Sequence, residues 1–257
     1  MGNASQGVVA IHQPEHLPWL GFLDKASRAD RFVLLDHVQY RRRYFQNRNR
    51  IRSPEGPLWL TVPVRNKGRY EQPICEVEID NQTEPRWRER CMKSLRHCYA
   101  QAPHFTEHAG FFEELYRRTW DKLLDLNEAI LRYLFEAFSV QAEVERSSSL
   151  RAVSAPSAGI GHPVPHQKGD LILEICRRLG ATTYLSGISG REYLDVGKFR
   201  EAGIEVRFQE FHHPIYPQLR EPFLPCMSAV DLLFNHGPQS ARILRGEGVA
   251  TLEKLFV

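Results

Sequence analysis

Three features of this sequence predict an α/β fold with a mostly parallel sheet, strand-to-helix ligand loops and an inserted α-helical lobe. Short, continuously apolar runs (Val8 to Ile11, and Arg31 through Phe32, Val33, Leu34 and Leu35 to Asp36) flank a helical pattern, as expected of parallel strands buried on both faces. Helical periodicity then takes over from about Pro85 to Phe138, and short strand-like runs return in the last third. The reading is one domain over 1–257: an α/β first half at 8–80, a helical lobe at 81–146, a loop or linker at 147–168 and an α/β second half at 169–257.

The opening is β-α-β, its helix running through Gly21 to Ala29. Trp59 to Val64 reads as a further strand, with Pro63 marking its exit. Val77 and Ile79 alternate with Glu76, Glu78 and Asp80, which predicts a half-exposed strand. In the helical lobe Trp87, Cys91, Leu95 and Cys98 recur at three to four residues, and Phe111 to Phe135 continue the period. Ser147 to Lys168, rich in Ser, Ala, Pro, Gly and His, reads as a loop. A helix then ends at Gly180, Thr183 to Leu185 is a strand, Phe199 to Ala202 a helical turn and Ile204 to Phe211 another strand. A closing helix starts near Ser228, with Asp231 as a capping-box-like partner.

The 257 residues, 42% of them apolar and 11% aromatic, suffice for a sizeable core. A net charge of +3 is too small to argue for nucleic acid, and no nucleic-acid partner is expected, although six arginines between Arg41 and Arg52 leave non-specific RNA contact open. No apolar run approaches the roughly 18 residues of a membrane span. The first residues lack the features of a signal peptide, so the expected location is the cytoplasm and no membrane partner is expected. Gly2 is a poor myristoylation site because residue 6 is Gln, and the sequon at Asn3 has no secretory route. Five cysteines without a Cys-x-x-Cys pair argue against zinc and against a disulfide framework. His104 and His108, His162 and His166, and His212 and His213 lack a metal-ligand pattern, so no metal is expected.

The chemistry concentrates elsewhere. His12 falls at a strand end, where open α/β sheets place ligands, and can act there as a general base oriented by Asp36. Gln13, His16 and Trp19 follow in a proline-stiffened loop. Asn47, Arg48, Asn49 and Arg50, preceded by Gln39 and Tyr40, offer amides and guanidinium forks suited to phosphate and sugar hydroxyls. The plainer reading is a solvated basic loop, which accounts well for Arg41 to Arg43. Ser186, Gly187 and Ser189 form a second strand-to-glycine junction, one residue short of a Gly-x-Ser-x-Gly elbow. His12-x-x-x-His16 is loosely similar to the His-x-Gly-His of nucleotidyltransferases, with a spacing one residue longer.

Together, Ile11-His12-Gln13-Pro14-x-x-Leu17-Pro18-Trp19-Leu20-Gly21, Asp36-x-Val38-Gln39-Tyr40, Asn47-Arg48-Asn49-Arg50-Ile51 and Trp59-Leu60-Thr61-Val62-Pro63-Val64 resemble the WbqC-like protein family. Tyr184-Leu185-Ser186-Gly187, Tyr193-Leu194, His213-Pro214-x-Tyr216-x-Gln218, Phe223-x-Pro225 and Ser228-x-x-Asp231-Leu232-Leu233-Phe234-Asn235-x-Gly237 extend the resemblance over nearly the whole chain. His16 departs from the family, which commonly has tyrosine there. The resemblance adds Tyr193, His213, Tyr216 and Gln218 to the substrate-binding set, with His212 to Gln218 and Ser186 to Gly190 as a wall opposite His12.

The family is associated with surface polysaccharide and natural-product gene clusters, so the resemblance implies a biosynthetic enzyme. The preferred expectation is acyl or aminoacyl transfer from a carrier-protein or coenzyme A thioester to the amine of a small acceptor, such as a nucleotide-linked amino sugar. No tightly bound cofactor is expected. Backbone amides near Ser186 to Gly190 would stabilise the oxyanion. The alternatives are a nucleotidyltransferase-like or ATP-dependent ligase using ATP and magnesium, and a non-catalytic sugar-binding or assembly protein. The sequence leaves the oligomeric state open.

Overall fold

A computed structural model describes residues 7–150 and 165–252. The expectations for Gly2, the sequon at Asn3, His162 and most of the 147–168 loop lie outside the described residues. Along the chain run β1 (Val8–His12), α1 (Leu20–Ser27), β2 (Arg31–Leu34), β3 (Arg48–Ser53) and β4 (Gly56–Thr61). They are followed by α2 (Trp87–Tyr99), α3 (Phe105–Arg117), α4 (Leu123–Ala137), β5 (Glu143–Arg146), α5 (Pro165–Arg178) and β6 (Thr183–Ser186). The chain continues through α6 (Val196–Glu201), β7 (Glu205–Phe208), α7 (Ala229–His236) and α8 (Ser240–Leu244).

These elements form two compact units built from interleaved segments, and the chain passes from one to the other within α1. The first unit holds a five-stranded sheet in the order β5-β2-β1-β6-β7, every pair parallel. Its central strands are apolar because both faces are covered: Val9, Ile11, Val33 and Tyr184 pack with Leu171, Ile172, Ile175 and Cys176 of α5 and Phe199 of α6. The edge strands carry charge instead, Glu143 and Glu145 on β5 and Glu205 and Arg207 on β7, which discourages pairing with another chain. The sheet bears out an α/β fold with parallel pairing.

In the second unit α2, α3 and α4 belong with the antiparallel hairpin of β3 and β4 and with α7 and α8. Phe234 of α7 anchors this core, its ring edge-on to Tyr99, Phe105 and Phe112. Three local expectations change. Arg48 to Arg50, for which no strand was expected, open strand β3 directly after Asn47, while Val77 to Ile79 follows a 3-10 turn and makes isolated bridges. Asp231 does not cap α7: Ser228 caps it, accepting from the Val230 amide, and the Asp231 side chain turns into the core. β5 is an additional strand whose charged residues hid it.

Candidate functional site

The strand order fixes where the first unit can hold a ligand. Counted along the chain, its strands lie 3-2-1-4-5, so the winding reverses between β1 and β6. Crossovers leave those two strand ends in opposite directions and open a crevice at that point. His12 and Gln13 end β1, while Ser186 and Gly187 end β6. Sequence reasoning placed both at strand ends, and the sheet makes their strands neighbours, with Val8 to Ala10 paired to Thr183 to Leu185.

His12 is partly buried, and its Nδ1 lies 2.9 Å from the Gln13 carbonyl. A carbonyl only accepts, so Nδ1 carries the proton and Nε2 the lone pair. Burial, with the nearby Lys25 ammonium, pushes the His12 pKa down to about 3 against the opposing pull of the Gln13 carbonyl. Lys25 is itself buried on α1, where Nζ donates to the Ile11 carbonyl at 2.7 Å. The ring is therefore neutral at physiological pH.

At the end of the neighbouring strand β6, Ser186 is buried and its Oγ donates to the Gly187 carbonyl at 3.0 Å. A 3-10 turn, Ile188–Glu192, folds over it. Gly190 makes that fold possible, because a Cβ there would stand 2.0 Å from Ser186 Oγ. The Gly190 amide is engaged with the Gly187 carbonyl at 2.9 Å. The first amides of the turn, at Ile188 and Ser189, have no acceptor within it. Ser189 is exposed; Tyr193, half-buried, closes the turn with its phenol pKa raised by burial.

Asp36 takes partners other than His12. Its buried carboxylate accepts from Ser147 Oγ at 2.7 Å, from the Ser148 amide at 2.8 Å and from Ser148 Oγ at 2.5 Å. The register explains this: Leu34 pairs with Arg146, so the chain past β2 meets the chain past β5. Ser147 Oγ also meets His37 Nδ1 at 2.6 Å and accepts from the Asp36 amide. With the hydroxyl proton on Asp36, His37 donates through Nδ1, and its Nε2 is buried without a partner. His37, Ser147 and Ser148 were not among the expected residues, since nothing in sequence links positions 111 apart.

The remaining expected residues belong to the second unit. His16 is fully buried, and burial lowers its pKa to about 4 although the Asn127 side chain, 3.1 Å away, opposes the shift. The two asparagines of the polar run serve the backbone: Asn47 Nδ2 donates to the Val62 carbonyl at 2.8 Å and Asn49 Nδ2 to the Leu17 carbonyl at 2.9 Å. Arg48 and Arg50 alternate with them on the opposite face of β3, their guanidinium carbons 4.3 and 5.6 Å from the centre of the Trp59 ring. Tyr40 is buried, which pushes its phenol up to about 12 despite Arg48 and Arg42, and Gln39 is exposed, donating to the Tyr70 carbonyl. Trp19, in the expected substrate-binding set, makes a bridge to Ser228, and a Cβ on Gly21 would overlap its ring.

The C-terminal motif is a brace. His213 Nδ1 donates to the Pro214 carbonyl at 2.8 Å, and Nε2 accepts from the Cys226 amide at 3.1 Å. Tyr216 and Gln218 donate to Asp231 Oδ2 at 2.9 and 2.8 Å, while Tyr99 donates to Oδ1 at 2.8 Å. Burial raises the Asp231 pKa, and these donors oppose the rise. His213, Tyr216 and Gln218 therefore secure residues 213–226 from within the fold.

Among the described residues no group of three or more His, Cys, Asp and Glu is gathered to hold a metal ion, and no helix is long and apolar enough to cross a membrane. The five cysteines form no disulfide.

A doubly wound α/β unit with a histidine and a serine-glycine turn at its switch point is the class that fold and site define. The chain belongs to the WbqC-like protein family, whose sequence profile matches residues 13–243. It is 32% identical over 239 residues to the uncharacterized protein Rv1507c of Mycobacterium tuberculosis (strain ATCC 25618 / H37Rv), a match covering 92% of this chain and 97% of that protein. No solved structure matches it significantly.

Proposed function

We propose that this WbqC-like protein is a biosynthetic transferase that passes an acyl or aminoacyl group from a carrier-protein or coenzyme A thioester to the amine of a small acceptor, such as a nucleotide-linked amino sugar, in polysaccharide or natural-product assembly. The observation that carries the reading is the reversal of winding between β1 and β6, flanked by His12 and by Ser186 to Ser189. Ligands of open α/β sheets lie at such a point. That argument locates the site by analogy of fold, and the chemistry must come from its residues.

The acceptor nitrogen bonds to the thioester carbonyl carbon, the carbon-sulfur bond breaks, and the thiolate takes up the proton that the amine loses. His12 Nε2 carries the lone pair that receives this proton first. Its depressed basicity is a property of the site without substrate; an anionic substrate beside it raises the pKa toward the working range. Incubation with thioesters and amino-sugar nucleotides, without nucleoside triphosphate, should give the amide by mass spectrometry.

One other reading is a nucleotidyltransferase-like or ATP-dependent ligase, in which the same loops bind the triphosphate through backbone amides and the weakly basic His12 need not act as a base. An absolute requirement for ATP and magnesium, with pyrophosphate released, would decide for the ligase.

A further inference from the structure

The second unit carries a face on which arginines and exposed aromatic rings alternate. Arg41, Arg42, Arg43 and Tyr44 occupy the exposed turn before β3, with Arg43 at a φ of 58° in the left-handed region. Arg48 and Arg50 follow on the strand, one face outward, because side chains two apart share a face. Trp59 stands across the ladder from Arg50 and is 41% exposed; Tyr44 is 43% and Tyr70 66% exposed. The guanidinium carbon of Arg41 lies 5.9 Å from the Tyr44 ring centre, and that of Arg42 lies 4.6 Å from that of Tyr70.

Two observations set this face apart. Several arginines elsewhere are paired with carboxylates, as in Arg96 with Glu113, Arg132 with Glu128 and Arg178 with Glu174, and those without such a partner, such as Arg88, Arg118 and Arg191, are scattered along the chain. Arg41, Arg42, Arg43, Arg48 and Arg50 form no ion pair among the described residues, and Nε of both Arg48 and Arg50 is buried without an acceptor. The neighbouring carboxylate Glu78 is already engaged by Arg65 and Arg69, which leaves Glu71 as the acidic side chain beside Tyr70. Secondly, the large apolar side chains exposed here are all aromatic; the exposed aliphatic ones, Ile188, Val196 and Ile215, belong to other segments. A protein-binding face would mix in aliphatic anchors, whereas exposed rings beside guanidinium groups that have no carboxylate partner are what stacked bases and a phosphate chain require.

We propose that this face binds single-stranded nucleic acid, the arginines taking backbone phosphates and Tyr44, Trp59 and Tyr70 stacking on unpaired bases. The small net charge of the whole chain does not oppose this, because the unpaired charge is concentrated on one face. The proposal is independent of the reading of the β1 and β6 crevice, so either can fail alone.

Fluorescence anisotropy with a labelled oligouridylate of about 12 nucleotides, within the span of known single-strand sites, tests it on the full chain. The expected result is saturable binding that weakens roughly 20- to 50-fold between about 50 and 200 mM salt, as release of counterions from three to four phosphates requires. Arg41→Gln with Arg42→Gln should flatten that salt dependence, and Tyr70→Ala should weaken binding about tenfold through lost stacking. All three positions are exposed, and an unchanged thermal melt confirms that the variants fold. Absence of binding at low salt, equal binding of a duplex or of polyglutamate, or indifference to both variants overturns the proposal; the polyglutamate result would assign the face to an acidic protein instead.

Discussion

Ser147 Oγ donates to Asp36 Oδ1 across 2.7 Å, joining the end of β5 to the end of β2 in a buried cluster that also takes in His37 and Ser148. The hydroxyl is saturated, giving one proton and accepting from the Asp36 amide and from His37. It is therefore a strut and no nucleophile. Ser147→Ala removes one donor from a buried carboxylate and the acceptor of the His37 ring, and should cost about 2 kcal/mol. Urea unfolding followed by circular dichroism measures that loss.

The brace around Asp231 should be costlier to break. Asp231→Ala strands the Tyr99 and Tyr216 hydroxyls and the Gln218 amide together, and an expected loss of about 3 to 5 kcal/mol follows from orphaning buried donors. Tyr216→Phe leaves the carboxylate with two donors and should cost about 1 kcal/mol. A larger effect for Tyr216→Phe than for Asp231→Ala in the same urea titration would contradict the network.

Acid should destabilise the protein well above the pH at which carboxylates titrate. His16 binds its proton at about 4 when folded and near 6.5 when unfolded. Between those values the unfolded chain holds more protons, so stability falls as pH drops from 6.5 toward 4 and is flat above 6.5 with respect to this group. The slope is up to about 1.4 kcal/mol per pH unit for one histidine, and His12, depressed to about 3, adds in the same sense. His16→Gln should make the acid limb shallower, which thermal melts between these pH values will show. An unchanged limb would mean that His16 is not held neutral.

Because Lys25 lowers the His12 pKa, Lys25→Met should raise it. Titration of the His12 ring by NMR reads this directly, and a value that stays put or falls would remove Lys25 as a cause.

Much of the scaffold was legible in the sequence. Apolar runs gave β1, β2 and β6, and spacing gave α2, α3 and α4, because burial of one face leaves a period that composition alone records. β3 escaped because its buried side holds Asn49 beside Ile51 while its outer side holds Arg48 and Arg50, so no apolar alternation marks it. β5 escaped as a charged edge strand. At the site, His12 and Ser186 were readable as strand ends. The partners of Asp36 were not, since they depend on which strands become neighbours. Tyr216, Gln218 and Asp231 stand out in sequence for the same polar character that a binding site would have, and only their burial reveals them as internal supports.

The central claim is that amide formation takes place beside His12. Mass spectrometry of a single-turnover mixture of folded protein, thioester donor and amino-sugar nucleotide, run in parallel with His12→Ala, tests it most directly. The account predicts an amide product without nucleoside triphosphate, reduced by about 100-fold or more in the variant, the usual weight of an acid-base group. Equal product from both proteins, or none without ATP, would contradict it.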